Sequence, residues 1–465
     1  AVLDADFVPH RSFLQRSLPL FHEPDVGLVQ TPQHFFNPDP IQQNLGLEGT
    51  YPDEQRFFFD HLQPSQDAWG KAICCGTSSI IRWGALEDAG LFPTDSVTED
   101  FLLTLKLSEH GWRTVYLNEP LTEGLAPEGL PEYITQRARW CLGLMQIFRG
   151  SHGPASRRRV SLAHRWGVAE SMAYWAFTYP FRLAGLIAPL VYWYGNVIVV
   201  DAGVADVVSH FGVYFAWSLI AMGFLTSGAQ MPLLTEVSAL VAAPQITASA
   251  WSGLLFPRGR AFKVTDKGGD RSRRVIHWRI MAPFLLMFLL TLGGMLAGVF
   301  FDDFAHWDAG DGKQVVFFWS LWNLVLLGLT IAVCIDRPRS ERHFKDQPIK
   351  GTVLLGSIRF PVWVSGLTTD GARITGIGGE VGERFQLEIP RLETVTGGIE
   401  AEVCDGGEMD CHIRFRHTFE SRRGMIVHLH TRSGSPATQQ ADPVGVISQI
   451  ALGIPATRTH GCRDA

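Results

Sequence analysis

Four apolar blocks in the middle of the chain restrict its fold more than any other feature of the sequence. They cover residues 171–195, 207–228, 280–301 and 315–335. Each block is long enough to cross the hydrocarbon core of a bilayer as a helix, which takes about 20 residues. The chain carries 18% charged residues, whereas a typical soluble domain carries about a quarter. Both observations predict an α-helical membrane region.

The blocks divide the chain into three predicted regions. Residues 1–160 have the texture of an α/β domain, with short apolar runs and many Pro and Gly turns. Residues 161–336 form the membrane region, and residues 337–465 return to a soluble composition. In this last region, alternating apolar and polar residues joined by Gly and Asp turns predict a small β-barrel. Its strands are predicted over residues 353–366, 384–395, 401–415 and 424–432.

Charged residues on the two sides of the blocks predict the orientation of the chain. The loops at 196–206 and 301–313 hold six aspartates and one lysine, whereas the segments at 156–165, 256–274 and 336–345 are basic. Basic loops of membrane proteins stay preferentially in the cytoplasm. Four spans return the chain to its starting side, so we expect both soluble regions to be cytoplasmic.

Two segments of the membrane region depart from simple spans. Residues 231–256 are apolar but contain Glu236 and several Ser and Thr, and they end in a basic cluster. We interpret this segment as an amphipathic helix at the cytoplasmic interface, because a fifth span would place the basic segment at 336–345 outside. The first block contains Arg182 and two prolines, which indicates a kinked helix or one that lines a polar path.

Charge and cysteine content exclude other classes of protein. The net charge of −6 gives no basis for a nucleic acid partner. The seven cysteines have neither the spacing of a zinc site nor that of a disulfide framework, so we expect reduced thiols. The chain begins with Ala-Val-Leu-Asp, without Met or a signal segment, and this start predicts an N-terminally truncated fragment.

An Asp-x-Asp pair at the start of the chain is the first candidate for chemistry. Asp4 and Asp6 follow an apolar, strand-like approach, and we expect them on one face of an extended segment. Two such carboxylates can share a divalent cation that also holds a diphosphate, because Mg²⁺ favours a few carboxylates and phosphate oxygens. The competing interpretation is structural, since Asp-x-Asp is common in turns.

A second acidic motif, Thr98-Glu99-Asp100, is predicted to begin a helix that Thr98 caps. The structural interpretation is that the two carboxylates stabilise the helix dipole. The functional interpretation makes Asp100 a general base that deprotonates an attacking hydroxyl group.

The third motif, Gln136-x-x-Arg139-Trp140, directly precedes the membrane region. Arg139 is suited to bidentate hydrogen bonds with a diphosphate, Trp140 to stacking on a sugar ring, and Gln136 to orienting either group. The alternative is an interfacial amphipathic helix with a snorkelling arginine and an anchoring tryptophan.

The order and spacing of these motifs resemble the processive family 2 glycosyltransferases, and most closely the bacterial cellulose synthases. Further segments agree with the resemblance, which runs from residue 1 to about 335. These are QTPQHFFNPDPIQQNLG at 30–46, CCGTSSIIR at 74–82, NEPLTEGLAPEGLPEYITQRARW at 118–140 and AFKVTDKGG at 261–269. The resemblance implies a GT-A-like glycosyltransferase domain portion, a membrane region and a bacterial inner-membrane location.

The resemblance also implies roles for the motifs. UDP-glucose would bind with Mg²⁺ or Mn²⁺ at Asp4 and Asp6, and Arg139 would help to hold the diphosphate. Asp100, next to Glu99 and Thr98, would act as the base, and Trp140 would stack on the acceptor end of the polymer. The expected product is β-1,4-glucan, formed with inversion and exported through the enzyme's own channel. A periplasmic, membrane-anchored partner subunit is implied as well.

Two further sets of residues follow from the same resemblance. Cys75, Gly76 and Thr77 would line the acceptor side of the site. A gating loop at 260–269 would close over the nucleotide sugar. Its predicted residues are Phe262, Val264, Thr265 and Lys267. An earlier aspartate that contacts uridine in the family would lie upstream of Ala1.

The C-terminal region resembles a PilZ barrel with a degenerate cyclic-di-GMP motif. The expected Arg-x-x-x-Arg spacing is absent, because the linker arginines are Arg337, Arg339 and Arg342. In the second motif Gly366 replaces the acidic residue and Thr368 replaces serine, whereas Gly371 is kept. Three arginines suit phosphates, but membrane topology or anionic lipid explains a basic segment equally well. Cyclic-di-GMP therefore stays open as an allosteric activator.

Several functions remain as alternatives to cellulose synthesis. A β-1,3-glucan (curdlan-like) or mixed-linkage glucan synthase would share the catalytic motifs, and hyaluronan and chitin synthases use other sugars. A catalytically inactive membrane receptor or scaffold that senses a nucleotide belongs to a different class. A lipid-linked sugar transferase would share the Asp-x-Asp pair but should lack the Gln-x-x-Arg-Trp motif and the gating loop.

Overall fold

The computed structural model describes most of the chain. It leaves out residues 198, 200–201, 259–270, 302–303, 306–311, 340–347, 391, 393–397, 408, 432–440 and 453–465. The predicted gating-loop residues and one linker arginine lie outside the described residues. They are Phe262, Val264, Thr265, Lys267 and Arg342.

The N-terminal region folds into the predicted α/β domain. Its strands are β1 (Val8–Pro9), β2 (Val26–Gln30), β3 (His34–Phe35), β4 (Ser79–Ile81), β5 (Arg113–Tyr116) and β6 (Thr122–Gly124). Its helices are α1 (Phe13–Ser17), α2 (Pro40–Leu45), α3 (Gln55–Phe57), α4 (Gln63–Ala68), α5 (Trp83–Asp88), α6 (Glu99–Glu109) and α7 (Leu130–Arg149). A 3₁₀ helix covers Leu18–His22, and a π-helix covers Phe58–Leu62 between α3 and α4.

Two small sheets organise this domain. The first has the order β4-β2-β5, in which β2 pairs parallel with β5 and antiparallel with β4. All five residues of β2 are buried, as expected for a central strand covered on both faces. The second sheet has the order β1-β6-β3. The helix α7 then leads from the domain towards the membrane region.

The described part of the membrane region is mostly helical. Its helices are α8 (Leu162–Ala173), α9 (Tyr179–Gly195), α10 (Val204–Asp206), α11 (Val213–Leu225), α12 (Pro232–Leu255), α13 (Trp278–Phe300) and α14 (Gly312–Val333). Short π-helices at Tyr174–Thr178 and Val207–Gly212 join α8 to α9 and α10 to α11. A two-stranded ribbon pairs β7 (Val275–Ile276) with β8 (Ile335–Asp336).

Four described helical stretches have the length and composition needed to cross a membrane. They are Val204–Leu225, Pro232–Leu255, Trp278–Phe300 and Gly312–Val333. Three of them match predicted spans, but the other is α12, which we predicted as an interfacial helix. The first predicted block, which contains the π-helix Tyr174–Thr178 and the 17-residue helix α9, is not among the four.

The burial of these helices distinguishes α12 from the others. Within the apolar window of α12, 56% is buried, whereas the stretch Val204–Leu225 is 0% buried. The helix α12 packs against α7 of the α/β domain and against α9 and α14. A helix with protein on several sides fits an interfacial position as well as a span, so the interfacial position stays a prediction.

One continuous hydrophobic core connects the α/β domain to the membrane helices. Its buried side chains come from both regions: Leu47, Tyr51, Leu102, Tyr133 and Met145 from the domain, and Leu234, Val237, Phe284 and Leu327 from the helices. Burying one such large apolar side chain of the α/β domain, which would otherwise face water, contributes about 1.5–3 kcal/mol to stability. Between the spans, packing contacts rather than transfer from water hold the helices together. The domain is therefore packed directly on the helices.

The C-terminal region confirms the predicted small β-barrel. Its strands are β9 (Ile349–Leu355), β10 (Ile358–Ser365), β11 (Gly371–Thr375), β12 (Arg384–Glu388), β13 (Ile399–Gly406) and β14 (Asp410–Arg416). They close antiparallel in the order β10-β11-β14-β13-β12-β9. Alternate side chains such as Val353, Ile374 and Ile413 fill a separate core. This architecture fits a PilZ-like barrel.

One predicted strand is wrong. Residues 424–432 were expected to extend the barrel, but residues up to His430 belong to the helix α15 (Phe419–His430). The cause is a reciprocal cap, in which Thr418 Oγ1 accepts from Ser421 N at 3.2 Å and Ser421 Oγ accepts from Thr418 N at 2.9 Å. The cap fixes the first turn, and Met425 and Leu429 are then buried one turn apart.

The end of the chain returns to the α/β domain at two places. His430 Nδ1 lies 3.2 Å from Glu123 Oε2, and His10 Nε2 lies 3.4 Å from Glu123 Oε1. Further along, Asp442 N donates to Thr50 O at 2.7 Å, just before the helix α16 (Pro443–Leu452). The barrel is thus flanked by segments that are bound to the α/β domain.

Candidate active site

The acidic motif lies at the predicted helix start, with Glu99 and Asp100 in the first turn of α6. The backbone N of Phe101 donates to Asp100 Oδ1 at 2.7 Å. Burial and the neighbouring Glu99 carboxylate raise the pKa of Asp100 to about 7, although Arg139 acts in the opposite direction. A carboxyl group with a pKa near neutrality is suited to accept a proton at physiological pH.

The predicted cap by Thr98 is wrong. Thr98 occupies the N-cap position, but its side chain makes no capping hydrogen bond. Its Oγ1 lies 3.1 Å from Ser96 Oγ instead, and Ser96 Oγ donates to the carbonyl oxygen of Gly143 at 3.0 Å. Any side chain at Gly143 would overlap Thr98. This close contact holds the start of α6 against the middle of α7.

The segment Cys75-Gly76-Thr77 lies between the Asp-x-Asp pair and Asp100. Gly76 has a φ of 83°, and a Cβ there would come within 3.0 Å of Asp100 Oδ2. Thr77 Oγ1 accepts from the backbone N of Asp4 at 2.9 Å. Burial, followed by the charge of Asp100, raises the pKa of the Cys75 thiol well above its usual value, so this cysteine is a neutral lining group.

The Asp-x-Asp pair does not lie on an extended segment as predicted. Its residues form a turn, in which the backbone N of Phe7 donates to Asp4 O at 3.0 Å. Asp4 is exposed, and Asp6 is half-buried. The competing interpretation of Asp-x-Asp as a turn is therefore correct for the backbone, and the turn presents Asp4 to solvent.

Arg139 is where the three motifs meet. Burial lowers the pKa of its guanidinium, while the negative charges of Glu99, Asp100 and Asp4 act to raise it. These three carboxylates belong to the first two motifs and are separated from Arg139 by up to 135 residues in sequence. Arg139, in helix α7, therefore lies near carboxylates of both earlier motifs, and a guanidinium group is suited to bind phosphates.

A cavity of about 610 Å³ extends from Asp100 into the membrane region. On the α/β side its lining includes Cys75, Thr98, Asp100 and Trp140. On the membrane side its lining includes Tyr174, Trp175, Tyr179, Ser238 and Ala242. Two π-helices border it, at Phe58–Leu62 and Tyr174–Thr178, which agrees with the frequent occurrence of π-turns at functional sites.

Not all predicted residues line this cavity. Asp4, Asp6, Gln136, Arg139, Gly76 and Thr77 are outside its lining. Gln136 is tied instead to its neighbour, because Arg137 Nη1 donates to Gln136 Oε1 at 3.0 Å. The structure thus separates a group of predicted residues near Asp4 and Arg139 from another near Trp140, with Asp100 between them.

Sequence reasoning missed a buried ionic cluster in the wall of the cavity. Arg137 and Glu54 form an ion pair, and Tyr133 OH donates to Glu54. Burial, followed by the charge of Asp39, raises the pKa of Asp53 to about 7. Arg137 stands inside the Gln-x-x-Arg-Trp motif and was a detectable signal, but its partner Glu54 is 83 residues away.

The side chains of Asp4 and Asp6 are carboxylates, a ligand type that divalent cations such as Mg²⁺ prefer. Mg²⁺ is usually held by one or two carboxylates, water and substrate phosphates rather than by a complete protein cage. Within the described residues, no group of three His, Cys, Asp or Glu side chains is arranged to hold a metal ion. A cation at this turn would therefore take its remaining ligands from phosphate and water.

The predicted cyclic-di-GMP residues are placed differently from one another. The linker contacts the α/β domain, since Arg339 Nη1 donates to Pro38 O at 2.8 Å and Arg337 N donates to Asn44 Oδ1 at 3.1 Å. Thr368 is buried, and its Oγ1 accepts from Gly371 N at 2.8 Å. The two halves of the expected motif thus each contact protein groups. The cysteines within the described residues are free thiols.

Comparison with known proteins identifies the class. Residues 1–244 match the glycosyl transferase family group 2, and the chain belongs to this family. It is 32% identical to a cellulose synthase catalytic subunit of Pseudomonas fluorescens over 84% of this chain and 54% of the relative. It is 35% identical to that of Xanthomonas axonopodis over 72% of this chain and 46% of the relative.

A third relative is the cellulose synthase 1 catalytic subunit of Komagataeibacter xylinus. The two sequences are 31% identical over 71% of this chain and 45% of the relative. The chain therefore spans about half the length of the curated relatives it matches.

Proposed function

We propose that this chain carries the catalytic site of a membrane-embedded, UDP-forming glycosyltransferase that polymerises glucose from UDP-glucose into β-1,4-glucan. The observation that carries the proposal is the cavity, which has Asp100 and Trp140 at one end and aromatic residues of the membrane region at the other. The names of the relatives, cellulose synthase catalytic subunits described as UDP-forming, support the donor and the product.

In the proposed reaction, Asp100 takes the proton from the hydroxyl group at the end of the glucan. The freed oxygen attacks the anomeric carbon of glucose from the side opposite UDP, so the bond to UDP breaks and an α-linked donor becomes a β-linked product. The raised pKa of Asp100 supports this role, because a base with a pKa near the working pH is efficient.

The charged diphosphate of the donor would be bound near Asp4 and Arg139, on the side of Asp100 away from Trp140. Arg139 would contact the diphosphate, and Asp4 and Asp6 would hold Mg²⁺ or Mn²⁺. That cation would offset the negative charge on the UDP leaving group. The short path from Asp4 through Thr77 to Gly76 and Asp100 supports a common site.

The acceptor would lie in the cavity. Trp140 would stack on its last sugar, beside Cys75. The rings of Tyr174, Trp175 and Tyr179 continue the aromatic lining towards the helices, and aromatic faces are suited to sliding contacts with sugars. We therefore propose export of the growing glucan between these helices, with both soluble regions in the cytoplasm of a bacterium and a periplasmic partner subunit that receives the chain.

The test uses the full-length protein in membrane vesicles with labelled UDP-glucose and Mg²⁺, with and without cyclic-di-GMP. The insoluble product is then divided between a β-1,4-specific and a β-1,3-specific glucanase. Digestion only by the first enzyme is expected. Digestion by the second would identify a curdlan-like or mixed-linkage synthase, and the absence of UDP release would contradict the glycosyltransferase itself.

A further inference from the structure

The face of α7 that lines the cavity is built around a buried arginine. Tyr133, Arg137, Trp140 and Leu144 are spaced by three or four residues, so they share one face of the helix, and all four line the cavity. The Arg137 side chain is only 5% exposed. A buried guanidinium carries a permanent charge and needs compensation from its neighbours.

Glu54 supplies that compensation from another element. Arg137 Nε donates to Glu54 Oε1 at 2.7 Å, and Nη2 donates to the same oxygen. The second oxygen of Glu54 accepts from Tyr133 OH. One carboxylate therefore binds two members of the α7 face, and it also increases the preference of Arg137 for its charged form.

The guanidinium also lies over two aromatic rings. Its central carbon lies 3.4 Å from the ring centroid of Tyr133 and 5.3 Å from that of Trp140. Both distances fall within the range of cation–π attraction. The remaining nitrogen, Nη1, donates to Gln136 Oε1. Every nitrogen of Arg137 thus donates to either Glu54 or Gln136, while its central carbon lies within cation–π distance of Trp140.

We infer that Arg137, fixed by Glu54, is a positioning residue that orients Trp140 for the acceptor glucan. This inference rests on the proposed function and assigns the acceptor side of the same site. A displaced Trp140 leaves the donor and Asp100 in place but misaligns the sugar hydroxyl, and a misplacement of about 1 Å can cost roughly 100-fold in rate. Water can then replace the glucan hydroxyl as acceptor.

The experiment measures UDP release and glucose incorporation in the same vesicle reaction. For Arg137→Met, incorporation should fall by roughly 10- to 100-fold, while UDP release falls far less and the KM for UDP-glucose is unchanged. The number of UDP molecules released per glucose incorporated therefore rises well above one. Arg137→Lys should restore only part of the incorporation, because lysine keeps the charge but lacks the planar fork.

A matched control is Arg82→Met. Arg82 is another arginine of the α/β domain that contacts two aromatic rings, Phe21 and Trp112, but it does not line the cavity. Its loss should leave the ratio of UDP release to incorporation at the wild-type value. A milder variant, Tyr133→Phe, keeps the ring and removes only the hydrogen bond to Glu54, so it tests the same network if Arg137→Met does not fold.

The outcomes separate this inference from the proposed function. If UDP release and incorporation fall together in Arg137→Met and Tyr133→Phe at an unchanged ratio, the arginine is only structural and the inference is wrong. A wild-type ratio at a wild-type rate in both variants would also overturn it. If the wild-type protein releases no UDP from UDP-glucose, the proposed function itself fails.

Discussion

The α/β domain and the β-barrel both contain residues that sequence motifs predict to be functional, but the two sets of residues differ in their contacts. Around the cavity, Cys75, Asp100 and Trp140 come from separate elements and converge on one volume. In the barrel, Thr368 and Gly371 are three residues apart and bond to each other within one turn.

The contrast between the two sets shows how strongly a motif can indicate function. When distant residues converge on one cavity, the local backbone geometry of their elements does not explain it, because each element could form without that convergence. A threonine that bonds a glycine three residues later serves the geometry of its own turn. The acidic and aromatic motifs of the α/β domain therefore argue for chemistry more strongly than the degenerate motif of the barrel does.

The largest effect is expected at Asp100. Asp100→Asn keeps the size of the side chain but removes its basicity, so glucan synthesis should fall by roughly 10²- to 10⁴-fold. Incorporation of labelled glucose in vesicles measures this loss. The exposed Asp95, five residues earlier, provides the control, and Asp95→Asn should retain wild-type activity. Full activity of Asp100→Asn would show that the acidic motif of the α/β domain does not supply the catalytic base.

The pH dependence of the reaction sharpens the same point. The pKa of Asp100 is about 7, and a general base works only in its deprotonated form. The kcat/KM for UDP-glucose should therefore rise about tenfold per pH unit below 7 and level off above it. Initial rates between pH 5.5 and 8.5 measure the profile, with Mg²⁺ held saturating. A profile that is flat over this range would show that Asp100 does not act as the base.

A substitution at the contact between Glu123 of the α/β domain and His430 of α15 should have a weaker effect. Burial raises the pKa of Glu123, but hydrogen bonds from His10 and His430 outweigh it, so the folded pKa lies below its ordinary value. The resulting stability is complete above that ordinary value and is lost as pH falls through the folded pKa. Glu123→Gln should lower the free energy of unfolding by about 1.5–3 kcal/mol.

Hydrogen exchange locates the effect of Glu123→Gln. The amides of α15 should exchange faster in the variant, because His430 loses its charged partner, whereas the amides of β9 to β14 should keep their rates. Equal acceleration throughout the barrel would mean that the barrel core depends on the junction, and the two regions would then be less separate than their cores suggest.

The smallest effect is expected in the barrel. Thr368→Val removes a buried hydroxyl that accepts from Asp370 N and Gly371 N, so the barrel should lose about 1 kcal/mol of stability. Thermal unfolding measures this loss, and glucan synthesis without added nucleotide should not change. If the variant instead lost only a stimulation by cyclic-di-GMP, Thr368 would be a ligand residue. The barrel motif would then serve function rather than the geometry of its own turn.

Local sequence patterns predicted most of the architecture. The apolar blocks predicted three of the four membrane-length helical stretches found in the described residues, and alternation predicted the barrel. The motifs also placed Glu99 and Asp100 correctly at a helix start. These successes share a cause, since periodicity and composition act within one element.

The failures depend on contacts that no single element contains. Residues 424–430 alternate like a strand, but the cap at Thr418 makes them helical. Asp4 and Asp6 form a turn, and Thr98 bonds Ser96 instead of capping α6. Arg137 and Glu54 are 83 residues apart, and only the folded chain shows that they form a pair.

The cavity between α7 and the membrane helices also has a kinetic consequence. A polymer that stays in this cavity between additions is never diluted into the bulk solution, so its effective concentration at Asp100 is set by confinement. The rate of the proposed reaction then depends on the donor concentration alone. The length of the glucan is limited by how often the polymer escapes from the cavity. The shape of the cavity, rather than its affinity for free acceptor, thus determines the length of the glucan.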